Sequence, residues 1–294
     1  MYDASDVLIT AVVSGLVMGS VYALAAVGLT IIFGVLRVVN FAHGEFLMLG
    51  AYSTFFLVNY LGVDPYFLLP VNFVLFFAFG VLVQRTLIRW APPDPSIVLV
   101  ILVGLMLILQ NGALMLWKSD FRTLHTAYLN LTLQLPILGI RINAGKIGAM
   151  VISLIAFALL VIFLNRTTIG IAMRALAQDR EAARMVGINT QRLDAASFGL
   201  GVGVAAVAGN ALVVFFPIFP LVGIQFILKS FVIVVLGGMG SISGSLVGGL
   251  LIGVVESISG TYLPSGWENF VVYALFVLVL LLRPQGLFGK VTTR

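Results

Sequence analysis

Long apolar runs, each closed by a short polar or glycine-rich stretch, repeat along the whole 294-residue chain. They lie near 7–34, 44–61, 66–84, 96–117, 146–164, 193–216, 222–237, 244–259 and 268–283. Several approach or exceed the roughly 20 residues that carry a helix across the bilayer core. In lipid, each segment has to satisfy its own backbone donors and acceptors, and a helix does this. Barrel-type alternation of apolar and polar positions is absent. The pattern predicts an all-α polytopic membrane helix bundle of about eight or nine membrane segments, some open to being discontinuous or re-entrant. That ambiguity centres on the short runs separated by GGMGSISG (237–244). Two thin spans fit, and so does a re-entrant pair of half-helices meeting at mid-depth, with Gly237, Gly238, Gly240, Ser241 and Gly244 as the backbone break.

Composition removes the soluble alternative. Hydrophobic residues make up 61% of the chain and charged residues 9%, against about 25% charged in an ordinary soluble domain. With no cysteine, disulfides, thiolate nucleophiles and cysteine metal sites are excluded. The two histidines, His43 and His125, lie far apart and form no ligand pattern. The net charge of +5 is explained by topology rather than by nucleic acid. MYDASD at the N-terminus lacks the basic stretch of a secretory signal, so the first span is expected to stay as a helix with its N-terminus outside. This orientation puts Arg37, Arg85, Arg89, Arg166, Arg174, Arg180, Arg184, Arg192, Arg283, Lys290 and Arg294 inside. Only Lys118, Arg122, Arg141 and Lys146 fall outside, while Lys229 sits within a span. The positive-inside rule therefore favours a periplasmic N-terminus and a cytoplasmic C-terminus. Trp90, Trp117 and Trp267 fall at span ends, where an aromatic belt places them.

The whole of 1–294 reads as one transmembrane domain with two long connections. Residues 118–145 form the main external loop, and the alternation in LNLTLQLPILGIRIN predicts a small hairpin capping the outer face. GIRINAGKI (139–147) resembles a phosphate loop only superficially. Five residues separate Gly139 from Gly145, and Ile147 stands where Ser or Thr would meet magnesium. Residues 165–192 are the longest polar, strongly basic segment, with Asp179 and Glu181 opposing five arginines. Asp179 suits a helix cap and Glu181 a first turn; Arg184 suits the last turn and Gly187 the stop. A short internal helix follows, with a continuation back to Ile171 also compatible. Its small residues Ala182 and Ala183 would let a partner's backbone come close. The competing reading is a basic loop lying on anionic lipid.

Polar residues in or beside spans are the remaining candidates for a pathway, because they are expensive there. Asn40, His43 and Glu45 lie in VVNFAHGEFLMLGAY (38–52), either as an interfacial turn or as a path-lining break. Asn210 lies deep in its span, where it would satisfy freed carbonyls or face the path. Lys229 would snorkel, pair with an acid such as Glu256, or meet a substrate carboxylate. Glycines four apart, such as Gly15 and Gly19, mark close helix packing.

ALAQDREAARMVGIN (175–189) resembles the coupling segment of ABC importer permeases, through Glu181, Ala182, Ala183 and Gly187. GSVYALAAVGLTIIFGVLRVVNFAHGEFLMLGAY (19–52), LKSFVIVVLGGMGSISGSLVGGLLIGVVE (228–256) and RPQGLFG (283–289) are similar to the H-type permeases of branched-chain amino-acid ABC transporters. The likeness runs in order over nearly the whole chain, with least signature in 118–145. It implies a multi-pass protein of the bacterial inner membrane, not itself an enzyme, that passes branched-chain amino acids by alternating access. It also implies a second permease (related, or a copy of this chain), two ATP-binding subunits and a periplasmic substrate-binding protein. The chain itself would bind no cofactor, ATP-Mg belonging to the partner subunits. The implied ATPase-coupling residues are Arg174, Asp179, Arg180, Glu181, Ala182, Ala183, Arg184 and Gly187. A urea or short-amide permease is the alternative within this class. An autonomous channel or ion-coupled carrier is the alternative from another class, and it leaves the basic internal helix unexplained.

Overall fold

The computed structural model describes residues 4–92, 94–125, 131–135 and 140–289. Each of the nine apolar runs is helical. They form α1 (Ala4–Leu36), α2 (His43–Leu61), α3 (Leu69–Val83), α4 (Pro95–Trp117), α5 (Ala144–Arg166), α8 (Thr190–Val213), α9 (Val222–Gly237), α10 (Ile242–Tyr262) and α11 (Trp267–Leu282). The polar interval between α5 and α8 holds two further helices, α6 (Thr168–Gln178) and α7 (Arg180–Met185). Among the described residues, six helical stretches are long and apolar enough to cross a bilayer: α1, α3 with its flanking turns, α4, α5, α8 and α10. Helices α9 and α11 have 16 residues each, so each is about 24 Å long.

Helices α1 and α8 form the buried axis. Nearly every residue from Val17 to Ile32, and all but a few of α8, is shielded by other helices. Helices α3, α4 and α5 bury only a stripe and leave Val74, Ile108 and Leu159 among the exposed apolar residues. Such an outward face suits hydrocarbon, which has no hydrophobic penalty to relieve; contact between helices then rests on close packing. Glycine permits that closeness. A Cβ on Gly15 would stand 2.6 Å from the Val254 Cα, and one on Gly19 would stand 2.8 Å from the Gly249 carbonyl. Gly28 and Gly201 meet in the same way between α1 and α8.

These contacts fix helix direction. Gly15 lies against Gly253 and Val254, Gly19 against Gly249 and Leu250, and Thr30 shares a hydrogen bond of 2.6 Å with Ser245. Helix α10 therefore runs antiparallel to α1 along most of its length. The α9–α10 break is level with the far end of α1: a Cβ on Gly34 would be 3.8 Å from the Gly240 Cα. Gly237–Gly244 is thus not a mid-depth meeting of half-helices. Gly238 and Gly240 take φ of 97° and 85°, and Ser241 caps α10 by accepting from Gly244 N at 3.1 Å. The end of α9 is covered by the segment after α11, with Leu287 N donating to Leu236 O at 2.8 Å and Phe288 N to Gly237 O at 3.2 Å.

A helix does begin at depth, but it is α2. Arg37 closes α1 in the left-handed region, at φ 56°, and the chain turns back into the bundle. His43, the first residue of α2, donates from Nε2 to the Ala25 carbonyl at 2.9 Å. Ala25 lies eleven residues before Leu36, about 16 Å back along α1.

Strands β1 (Thr132–Leu135) and β2 (Ile140–Asn143) pair antiparallel, Thr132 opposite Asn143 and Leu135 opposite Ile140, so the expected hairpin is present. Within the 118–145 loop, residues 126–130 and 136–139, including Asn130 and Gly139, lie outside the described residues, as do Lys290 and Arg294. Arg122 ties the loop to the α8–α9 connection by paired backbone hydrogen bonds of 2.9 Å with Ile218.

Gly19→Val is expected to lower the thermal midpoint of the purified protein by at least several degrees, because its side chain has only backbone to displace. Gly104→Ala, where a Cβ meets nothing within 4 Å, is expected to leave the midpoint unchanged or raise it slightly.

Candidate coupling segment and membrane-buried polar sites

Three successive side-chain caps build the polar interval. Thr167 caps α6 by accepting from Gly170 N at 3.0 Å. Asp179 caps α7, accepting from Glu181 N at 2.9 Å and Ala182 N at 3.0 Å. Asn189 caps α8, accepting from Arg192 N at 3.1 Å. Each cap satisfies donors that a helix start leaves free. The segment is two helices rather than one running on from Ile171, because Asp179 adopts extended backbone between them. Gly187, at φ 84°, stops α7.

The candidate coupling residues divide by direction. Arg174, Asp179, Glu181, Ala182, Arg184 and Gly187 are exposed. Ala183 is buried, so of the two alanines only Ala182 is presented. Arg180 turns back into the bundle, where its guanidinium pairs with Asp194 on α8 and donates to the Val35 carbonyl of α1 at 3.4 Å. Arg184 Nε reaches Thr190 Oγ1 at 3.5 Å. Two residues that sequence reasoning missed, Met185 and Val186, stand outward at 82% and 76% exposure beside these charges. Asp194 was also missed. It lies fourteen residues from Arg180 on another helix, where no local spacing rule connects them.

The membrane-buried candidates do not form one site. Asn40, His43 and Glu45 are all buried around the start of α2. Among the described residues, neither carboxylate oxygen of Glu45 and neither side-chain polar atom of Asn40 has a partner. The Glu45 carboxylate occupies the space over Gly223, where a Cβ would stand 2.8 Å from it. Gly223 is the second residue of α9, so its lack of a side chain admits the carboxyl group to the start of that helix. Asn210 lies elsewhere and donates to the Pro65 carbonyl at 3.2 Å, securing the connection between α2 and α3. Lys229 donates to Glu256 Oε1 at 2.6 Å and to the Tyr22 hydroxyl at 2.8 Å. Among the described residues no three His, Cys, Asp or Glu side chains gather to hold a metal. A cleft of about 690 Å³ among α1, α3, α5, α6 and α8 has an all-apolar lining that includes Leu24, Phe73 and Leu159; it offers nothing to a charged solute.

The family described as the branched-chain amino acid transport system permease component matches residues 11–280. The chain belongs to this permease family. It is 32% identical to the high-affinity branched-chain amino acid transport system permease protein LivH of Escherichia coli K12, over 94% of each chain. The corresponding protein BraD of Pseudomonas aeruginosa is also 32% identical, over 95% of this chain and 94% of its own. A probable LivH permease of Methanocaldococcus jannaschii is 28% identical over 93% of this chain and 90% of its own. These permeases match from α1 to α11, so the likeness takes in α6, α7 and the buried polar positions together.

Asp194→Asn would leave Arg180 without its anion in a partly buried setting. The expected loss of stability is about 2 kcal/mol, between the ranges for exposed and buried pairs. Chemical denaturation in detergent, followed by tryptophan fluorescence, measures it.

Proposed function

We propose that this permease is the membrane-spanning subunit of an ATP-driven importer that passes branched-chain amino acids into the cytoplasm by alternating access. The observation that carries this reading is the end-to-end match to LivH and BraD, whose names state that transport. Those names favour amino acids over urea or short amides. The paired helices of the basic interval favour a driven subunit over an autonomous channel.

On this reading the chain is a multi-pass protein of the bacterial inner membrane. The start of α1 is periplasmic, and α6 and α7 are cytoplasmic, an orientation supported by the excess of Lys and Arg on their side. The exposed face of α7, with Glu181, Ala182, Arg184 and the apolar tip Met185–Val186, docks in a groove of an ATPase subunit. Two such ATPases bind and hydrolyse ATP-Mg. A second permease, related or identical, completes the path, and a periplasmic binding protein delivers the substrate. Arg180 touches α8 through Asp194 and α1 through Val35. A force on α7 therefore reaches both axial helices. Each ATPase state would favour one access state, which is the thermodynamic content of coupling.

In proteoliposomes holding the complete complex, Glu181→Ala and Gly187→Trp are expected to reduce leucine uptake at least about tenfold while ATP hydrolysis persists. Wild-type uptake in both variants would remove α7 from the coupling role.

A further inference from the structure

The pair formed by Lys229 and Glu256 has the chemistry of an amino-acid site. It is contributed by three helices: Lys229 from α9, Glu256 from α10 and Tyr22 from α1. Lys229 Nζ donates to Glu256 Oε1 at 2.6 Å and to Tyr22 Oη at 2.8 Å, and the Tyr22 hydroxyl lies 3.2 Å from the same carboxylate oxygen. The other oxygen, Glu256 Oε2, is buried and has no partner among the described residues. The two side chains keep 11% and 19% exposure, while Tyr22 and the Oε2 atom are themselves buried, so the pair lies just under the surface. Phe226 packs edge-on to Tyr22 at 5.5 Å and Phe216 to Phe226 at 6.2 Å, placing an apolar wall beside the charges.

A row of α1 that is polar at all but one position leads to the pair. Asp6, Thr10, Ser14, Met18 and Tyr22 follow one another at intervals of four along α1, which puts them on one helical row. At the outer end of this row Asp6, Thr10 and Ser14 share a cleft of about 290 Å³ with Ser257 and Thr261 of α10. Ser257 is the next residue after Glu256. Thr10 and Thr261 return their hydroxyls to the Asp6 and Ser257 carbonyls at 2.7 and 2.8 Å, so these hydroxyls are satisfied along their own helices and still present oxygen acceptors to a polar solute.

Resting on the permease reading above, we propose that Lys229, Glu256 and Tyr22 form an exchange site for the zwitterionic backbone of an α-amino acid. The substrate carboxylate takes the Lys229 ammonium, the substrate ammonium takes the Glu256 carboxylate, and Tyr22 donates to whichever carboxylate replaces its present partner. Before and after exchange each charge faces an opposite charge. A solute with two ionised groups thus passes a low-dielectric layer without an unpaired ion, the state that is most expensive there. A branched aliphatic side chain meets Phe226. Between passages the protein's own pair holds the site neutral.

The test uses the complete complex in proteoliposomes, with uptake of labelled leucine from its binding protein. Lys229→Met and Glu256→Gln, alone and together, are each expected to cut uptake at least about tenfold, with the complex still assembled on size exclusion. A pair serving only as a structural pin gives a different pattern. The singles then fail, but the neutral double recovers, since removing both members of a buried pair is often harmless. Recovery of the double to within about twofold of wild type, or normal uptake in all three, overturns the proposal. Glu256→Asp keeps the charge and withdraws the carboxylate by one methylene. It should assemble and still lose at least about tenfold in uptake, and full uptake by it also overturns the proposal. If the wild-type complex takes up no leucine, the permease reading fails rather than this site.

Discussion

Backbone-to-backbone contact of α1 with α8 and α10 is the constraint on which the rest of the structure hangs. In lipid, apolar surface gains nothing by leaving its surroundings, so helices must approach closely enough for dispersion and weak polar contacts to hold them. The glycines at 15, 19 and 28 on α1, met by those at 253, 249 and 201, allow that approach. The result is a central rod wrapped on several sides. Three ionisable side chains from other elements lean on this rod. Lys229 reaches its Tyr22 hydroxyl, His43 its Ala25 carbonyl, and Arg180 its Val35 carbonyl. From Tyr22 to Val35 is thirteen residues, or about 20 Å of continuous helix.

That arrangement joins the exposed helix α7 to the interior of the bundle. Helix α7 is too short to be stable alone, yet Asp179 caps it and Ala183 is packed against its own chain. It is tied to α8 by the Arg180–Asp194 pair and to α1 by the Arg180 contact with the Val35 carbonyl. The starts of α2 and α9 meet within the bundle, where the Glu45 carboxylate fills the space over Gly223. Short helices that begin at depth are where backbone can shift without exposing polar groups to hydrocarbon.

Much of this was legible in the chain. Apolar run length located all nine long helices, and Asp179 with Gly187 marked the limits of α7, because caps and stops are local chemistry. The hairpin at 132–143 followed from alternation. What the chain hid was three-dimensional. Asp194 is the partner of Arg180, and Tyr22 joins Lys229, through helix directions that no spacing rule encodes. Ala183 looked like a docking residue and is buried, because a short helix must spend one face on its own bundle. The glycine cluster at 237–244 left two thin spans and a break at mid-depth both open. Glycine composition reports a break but not its depth; the break is level with Gly34, and the helix that begins at depth is α2, whose entry is set by the left-handed Arg37.

The central claim is a polarity: the largely polar row of α1 opens to the periplasm and α7 faces the cytoplasm. The chain has no cysteine, so single-cysteine labelling tests this without background. Tyr60, 80% exposed at the far end of α2, and Ala182 on α7 are the informative positions. With a membrane-impermeant maleimide, Tyr60→Cys should react in intact spheroplasts. Ala182→Cys should react only in inverted vesicles stripped of peripheral proteins. Labelling of Ala182→Cys in intact spheroplasts, with Tyr60→Cys protected, would contradict the account.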